Sequence, residues 1–343
     1  MSSVLLARTF PEVAFGARYF AGCLFSLFFI GSVFVHEFAH ALIALSNNQK
    51  VLAVTLHIFG GSTSIEATNH RPSAEALIAL AGPATSILLS MSFFLFASPL
   101  GTQSSSLGLI AIWLAVLNLL LGVINMLPGL PLDGGRVFHA IMWRATGNYF
   151  KGTLAATAAG QIIGIFSIIF GIALFVLQQP SLFGLAGWFF LVGWFLRRAA
   201  GQSRSAAIRN EALKDFSARD ALQQNWPQVQ SSGSVRNLAQ DDEFINGKKS
   251  YLVYDGDDWV GIIPVRIVKA LSAGEQSTLR VVELMVHHTE VFTAAPQDSL
   301  NLILNKMETD RLGYIPVTEN TKVVGVVARD AVLAMAKEHS PMR

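Results

Sequence analysis

His36-Glu37-Phe38-Ala39-His40 puts two imidazoles and a carboxylate within five residues of an apolar run. In a helix, positions i and i+4 share a face, so His36 and His40 present two nitrogens to one ion. Glu37, beside the first imidazole, is placed to act on a metal-bound water, which is how a hydrolytic zinc site divides its labour. The run covers about 17–45, and Glu37 is the only formally charged residue between Arg18 and Lys50. A carboxylate near a bilayer centre costs at least ~2.5–3.5 kcal/mol. A buried metal with its water gives that cost a reason. Taken alone, the five-residue match also arises by chance, and a histidine in an apolar helix is more often a satisfied buried group than a ligand.

A second cluster bears on that choice. Leu127-Pro128-Gly129-Leu130-Pro131-Leu132-Asp133-Gly134-Gly135-Arg136 follows another apolar segment. Its prolines stop a helix and its paired glycines permit a tight turn. Asp133 is the only acidic residue between Glu75 and position 200. By itself Asp133 suits a turn or a helix cap. A catalytic zinc takes three protein ligands and leaves one position open. With HEFAH supplying two in the same apolar half, Asp133 is the natural third.

The elements that must position these groups are apolar helices. The chain has 343 residues, 52% hydrophobic and 14% charged, against about 25% charged in an ordinary soluble domain. Mean hydropathy is +0.47. Residues 1–200 hold nine Lys/Arg and five Asp/Glu; the remainder holds sixteen and eighteen. A membrane half is therefore joined to a soluble half. Five segments are long enough to span, at about 17–45, 76–98, 107–127, 153–177 and 182–197. The first of these carries HEFAH and follows no small-residue cleavage pattern, so it does not read as a signal peptide. Lys50 and Arg71, then Arg136, Arg144 and Lys151, then Arg197 and Arg198 flank alternate ends of the spans. The 98–106 loop and the 178–181 turn carry no Lys or Arg. The charged loops and the C-terminal half are thus expected in the cytoplasm.

Between the first two spans, 51–65 alternates and is rich in β-branched residues around Gly60-Gly61, which reads as a hairpin. His57 within it suits a polar strand face. The lone Cys23 excludes an internal disulfide framework and a cysteine zinc site. A net charge of +2 without a basic patch gives no case for nucleic acid. Residues 199–216 read as a polar linker or short helix. From about 217 the pattern is mixed α/β, with a weak internal repeat over 217–272 and 279–337. The expected division is a membrane domain at 1–198, the linker, and a repeat pair at 217–343. His287 and His288 suit surface positions in that pair.

Four motifs in order, HEFAH, FGG, ALAGPATS and INMLPGLPLDGGR, make this chain resemble the site-2 protease family of intramembrane zinc metalloproteases, peptidase family M50. The resemblance covers nearly the whole chain and is to the bacterial or archaeal type with a C-terminal CBS domain pair. It implies a polytopic α-helical membrane domain followed by a cytosolic α/β CBS pair, in the inner (plasma) membrane. It implies one Zn2+ on His36, His40 and Asp133, with Glu37 as general acid/base of a zinc metalloendopeptidase. Asn125 would lie near the substrate or oxyanion; a helix-packing hydrogen bond is the other reading of that amide. The substrate would be a single-span membrane protein such as an anti-sigma factor, held extended by strand addition at Gly60 and Gly61. The CBS pair would modulate activity, bind ATP or AMP, and form a homodimer. Its nucleotide run departs from the pattern, with Ala328 and Ala331 at the hydroxyl and carboxylate positions and Asp330 one step early. The alternative from another class is a CBS-regulated membrane ion transporter or channel.

Overall fold

The computed structural model describes residues 15–57, 60–66, 71–97, 106–177, 179–240, 250–320 and 322–342. Phe59 of the FGG run and the loop residues 98–105 lie outside them. The chain divides into two compact units, Met1–Ala207 and Ile208–Arg343.

The first unit is helical. Helices α1 (Phe15–Ser46), α2 (Pro72–Ala97), α3 (Ser106–Asn125), α5 (Tyr149–Val176) and α6 (Phe183–Ala212) are joined by a short α4 (Asp133–Thr146). Among the described residues, five helices are long and apolar enough to cross a membrane. Large apolar side chains point outward from them, among them Phe20 at 70%, Leu95 at 68% and Phe166 at 68% exposed. Such surface is untenable in water and suits lipid. Because lipid is as apolar as leucine, helices associate by close backbone approach. A Cβ at Gly164 of α5 would stand 2.8 Å from the Arg197 amide nitrogen of α6. Nearby, Ser167 Oγ donates to the Phe189 carbonyl at 2.8 Å.

Two expectations are settled here: of linker or helix at 199–216 the helix holds, and the expected hairpin forms with its glycines on a strand. The last span runs on to Ala212, so most of the 199–216 segment is helix and not linker. Between Gly201 and Ala212 there is neither glycine nor proline, and Ala, Arg and Glu sustain the turn. Secondly, β1 (Lys50–His57) and β2 (Gly60–Glu66) pair antiparallel, with His57 opposite Gly60 and Leu56 opposite Gly61. Gly60 and Gly61 therefore open a strand and do not form the turn.

Helix α4 was legible only as a turn. Its start is pinned by contact: a Cβ on Gly134 would overlap the Met126 backbone, and one on Gly135 the Gly129 and Leu130 backbone. It ends at Gly147, whose φ of 68° gives the left-handed cap.

The second unit holds two small sheets. One orders β3 (Leu222–Gln223), β9 (Lys322–Ala328) and β8 (Tyr314–Glu319); the other orders β4 (Gln228–Gln230), β5 (Tyr251–Asp255), β6 (Asp258–Ile263) and β7 (Val286–His287). The repeat is real but not contiguous. β3, from the first repeat, pairs with β9 of the second, and β7, from the second, pairs with β6 of the first. Each half lends a strand to the other, so the 217–272 and 279–337 boundaries cut across both sheets. Separate apolar cores back them: Leu300, Ile303, Leu304, Met307, Ile315 and Val327 in one, and Val235, Val253, Ile263, Val268 and Val281 in the other.

Candidate active site

Helix α1 brings His36 and His40 onto one face, both almost fully buried at 2% and 3% exposure. Their Nε2 atoms lie 3.3 Å apart. Asp133, the first residue of α4, completes a triangle: its Oδ2 is 3.2 Å from His36 Nε2 and 3.3 Å from His40 Nε2. Three donors around a tetrahedral zinc with bonds of about 2.0–2.1 Å stand about 3.3–3.4 Å apart. Among the described residues, these three form a group of side chains able to hold a metal ion.

The outer partners of the rings fit the same reading. His40 Nδ1 lies 2.6 Å from the Ile78 carbonyl, which only accepts, so Nδ1 carries the proton. In the neutral ring, Nε2 is then a lone pair aimed at a carboxylate. Two electron-rich atoms facing each other without a proton between them call for a cation. His36 Nδ1 is fixed by Ser86 Oγ at 2.8 Å. Such second contacts orient ligating imidazoles and raise their basicity.

Helix α2 forms the back wall. A Cβ at Gly82 would overlap His40 Nε2 and come within 2.6 Å of His36 Nε2. No residue with a side chain fits there. Glu37 is 8% exposed and lies outside the donor triangle. Its Oε2 is 3.0 Å from Thr63 Oγ1, and its main-chain oxygen is 3.1 Å from the same hydroxyl. β2 is thereby held against the HEFAH turn.

The structure brings His36, His40 and Asp133 together from positions up to 97 apart, with Glu37 next to His36 on the same helix. Asn125 is not among the converging residues. It ends α3, and its Nδ2 donates to the Leu121 carbonyl of its own helix at 3.0 Å; no described bond ties it to the triangle. Gly60 and Gly61 lie on the strand that carries Thr63. Asp330 is an exposed first-turn residue of the helix Arg329–Glu338. Missed by the sequence were Gly82, Ser86, Thr63 and the Ile78 carbonyl. Gly82 and Ser86 had a signal, both inside ALAGPATS; a threonine and a main-chain oxygen carry none.

A sequence profile of Peptidase family M50 matches residues 24–106 and 101–158. A protein of Synechocystis sp. whose name assigns it to the zinc metalloproteases is 30% identical over 333 residues, 96% of this chain and 86% of its own. The solved site-2 protease of Methanocaldococcus jannaschii is similar to 59% of this chain over 84% of its own, at 22% identity and a TM-score of 0.41. The CBS domain of a membrane protein from Sphaerobacter thermophilus is similar to 40% of this chain over 96% of its own, at 25% identity and a TM-score of 0.29. A relative matched at that identity along nearly the full length of both chains leaves one conclusion: this protein belongs to peptidase family M50 and is a membrane zinc metalloprotease.

Proposed function

We propose that the protein cuts the transmembrane segment of a single-span membrane protein, with Glu37 as its general acid/base and one zinc on His36, His40 and Asp133. The observation that carries this is the 3.2–3.3 Å donor triangle with a buried carboxylate beside it and not in it. Zinc held there lowers the pKa of bound water and polarises a peptide carbonyl. Glu37 takes a proton at a carboxylate oxygen and returns it to the leaving amine nitrogen. Thr63 holds that carboxylate in place through its hydroxyl. α2, with Gly82 at its closest approach, backs the donor groups and excludes water from that side. A helical peptide bond is shielded by its own hydrogen bonding, so the substrate must be locally unwound. The β1–β2 hairpin, with Gly60 and Gly61 leading β2, supplies a strand for such a segment to pair with. Asn125, at the end of α3, is the proposed polar contact for the substrate.

The positive-loop pattern supports an inner-membrane protein with its C-terminal unit in the cytoplasm. The CBS-like pair would tune turnover and self-associate. Adenine nucleotide binding around Asp330 is its weakest element, because Ala328 and Ala331 lack the polar atoms such a site uses. The transporter reading loses its ground, since the chain belongs to the zinc metalloproteases of peptidase family M50.

The test uses purified protein in liposomes with a single-span substrate such as a membrane anti-sigma factor. Cleavage within the membrane segment, lost with a chelator and restored by Zn2+, is expected. A helix-breaking pair placed in the segment should speed it. Cleavage confined to loops outside the bilayer would overturn the proposal. Removing everything after Ala207 should leave zinc bound and alter turnover; an unchanged rate would make the C-terminal unit a docking module only.

A further inference from the structure

A second buried polar cluster stands beside the donor triangle and takes no part in it. His139, in the middle of α4, is 2% exposed. Its Nδ1 is 2.9 Å from Glu75 Oε1, in the first turn of α2. Its Nε2 is 3.1 Å from Thr153 Oγ1 and 3.2 Å from the Tyr149 carbonyl, both on α5. The Tyr149 ring meets the imidazole edge to face at 4.5 Å. α5 comes this close because position 152 is glycine: a Cβ there would be 3.0 Å from His139 Cδ2. A hydrogen-bonded ionisable pair inside a membrane unit is expensive unless it does something.

The positions of the two partners say what. α4 begins with Asp133, fewer than two turns before His139. α2 carries, three residues after Glu75, the Ile78 carbonyl that holds His40 Nδ1. It also carries Gly82 and Ser86 against His36 and His40. The His139–Glu75 pair therefore joins the helix that delivers the third donor to the helix that orients the other two. Gly134 and Gly135 fix the start of α4, and Gly152 lets α5 pack against its middle. The His139–Glu75 bond is the polar tie from that middle to α2, and its loss would let α4 shift and carry Asp133 with it. Metal and catalytic sites tolerate about 0.5 Å of such error.

We infer that Glu75 and His139 are positioning residues that set Asp133 against His36 and His40, and that they govern the zinc geometry from outside the ligand set. This rests on the zinc reading of the donor triangle. The experiment takes the full chain in detergent. Zn2+ affinity is read by chelator competition, geometry by the visible bands of the Co2+-loaded protein, and folding by thermal melting. Glu75→Ala and His139→Ala should each weaken zinc about 10-fold, the lower end for groups behind a ligand, and shift the cobalt bands. The double variant should lose no more than either single one, because the pair acts as a unit. If either alanine variant fails to fold, Glu75→Gln, which keeps an acceptor at the same reach, should still move the bands in the same direction by less. Folded variants with unchanged affinity and bands, whatever their melting temperature, would reduce the pair to a structural bracket and overturn the inference; so would additive losses in the double variant. Asp133→Ala is the control. Unchanged zinc binding there, or no zinc in the wild type, would instead bring down the underlying zinc reading and this inference with it.

Discussion

The two units bury opposite kinds of side chain. Eleven of the thirteen buried polar side chains among the described residues lie in the membrane unit, where they sit at the donor triangle, at His139 and between helices. The C-terminal unit buries Leu, Ile, Val and Met behind two sheets and leaves its charges in water. Solvent explains the contrast. In lipid an apolar side chain gains little from burial, so it turns outward, and the interior is free to hold what chemistry needs. In water the apolar core is the driving force, at roughly 25 cal/mol per Å², and polar groups are pushed out. Damage to the first unit should therefore appear as lost chemistry with the fold intact, and damage to the second as lost fold with the chemistry intact.

The hardest strike on that contrast is Glu37→Gln. The amide keeps an oxygen for Thr63 and the same shape, so zinc content by mass spectrometry should match wild type. Cleavage should fall by about 10²–10⁴-fold, the contribution of a general base. Zinc loss as deep as in His36→Ala would make Glu37 a ligand.

Next comes Asp133. Both Asp133→Ala and the near-isosteric Asp133→Asn should weaken zinc by at least about 100-fold, beyond what outer contacts cost, because the ligand's charge is gone. Melting of the helical unit should move little. Full occupancy in Asp133→Ala would remove it from the ligand set.

Gly82→Ala adds one methyl where the two imidazoles stand. Overpacking of this kind costs about 1–3 kcal/mol, here taken out of the ring positions, so a zinc affinity loss of about 10-fold is expected from a residue that binds nothing. Unchanged affinity would mean that α2 is no wall.

Leu304→Ala tests the other side. Leu304 is 1% exposed in an apolar core, and the change should cost about 2–5 kcal/mol. Calorimetry should show the C-terminal transition fall alone, with zinc content untouched. A parallel loss of zinc would show that the units are not energetically separate.

The smallest effect concerns a cap. Hydrogen bonds from the Ser217 N–H and hydroxyl hold the Asp220 carboxyl below its usual range. A carboxyl lowered in the folded state stabilises above its unfolded value, about 4, and loses that contribution as pH falls through the folded one. Ser217→Ala should cost at most about 1 kcal/mol at pH 7. Its difference from wild type should narrow below about pH 4; a gap that widens in acid would contradict the assignment.

How much was legible follows the same contrast. HEFAH stood out because charge and imidazole are expensive in an apolar run, and Asp133 because it was the lone acid between Glu75 and position 200. His139 and Glu75 were just as unusual in composition, yet nothing local signals that residues 64 apart in sequence will meet. In the C-terminal unit, alternation and turn glycines such as Gly256, with φ of 64°, marked the strands. The exchange of β3 and β7 was invisible, because two-residue strands carry no period.

Sequence alone determined what is chemically costly: five apolar spans, two histidines at i and i+4 with a carboxylate between, one further acid, and a charged α/β half. Those follow from side-chain type and spacing, which the chain states residue by residue. Tertiary structure decided which oxygen and nitrogen atoms converge, that Gly82 must lack a side chain, that Thr63 holds Glu37, and that His139 and Glu75 tie α4 to α2. Each of these depends on how closely two distant backbones approach, and that distance is set by packing across the whole unit and not by any local stretch.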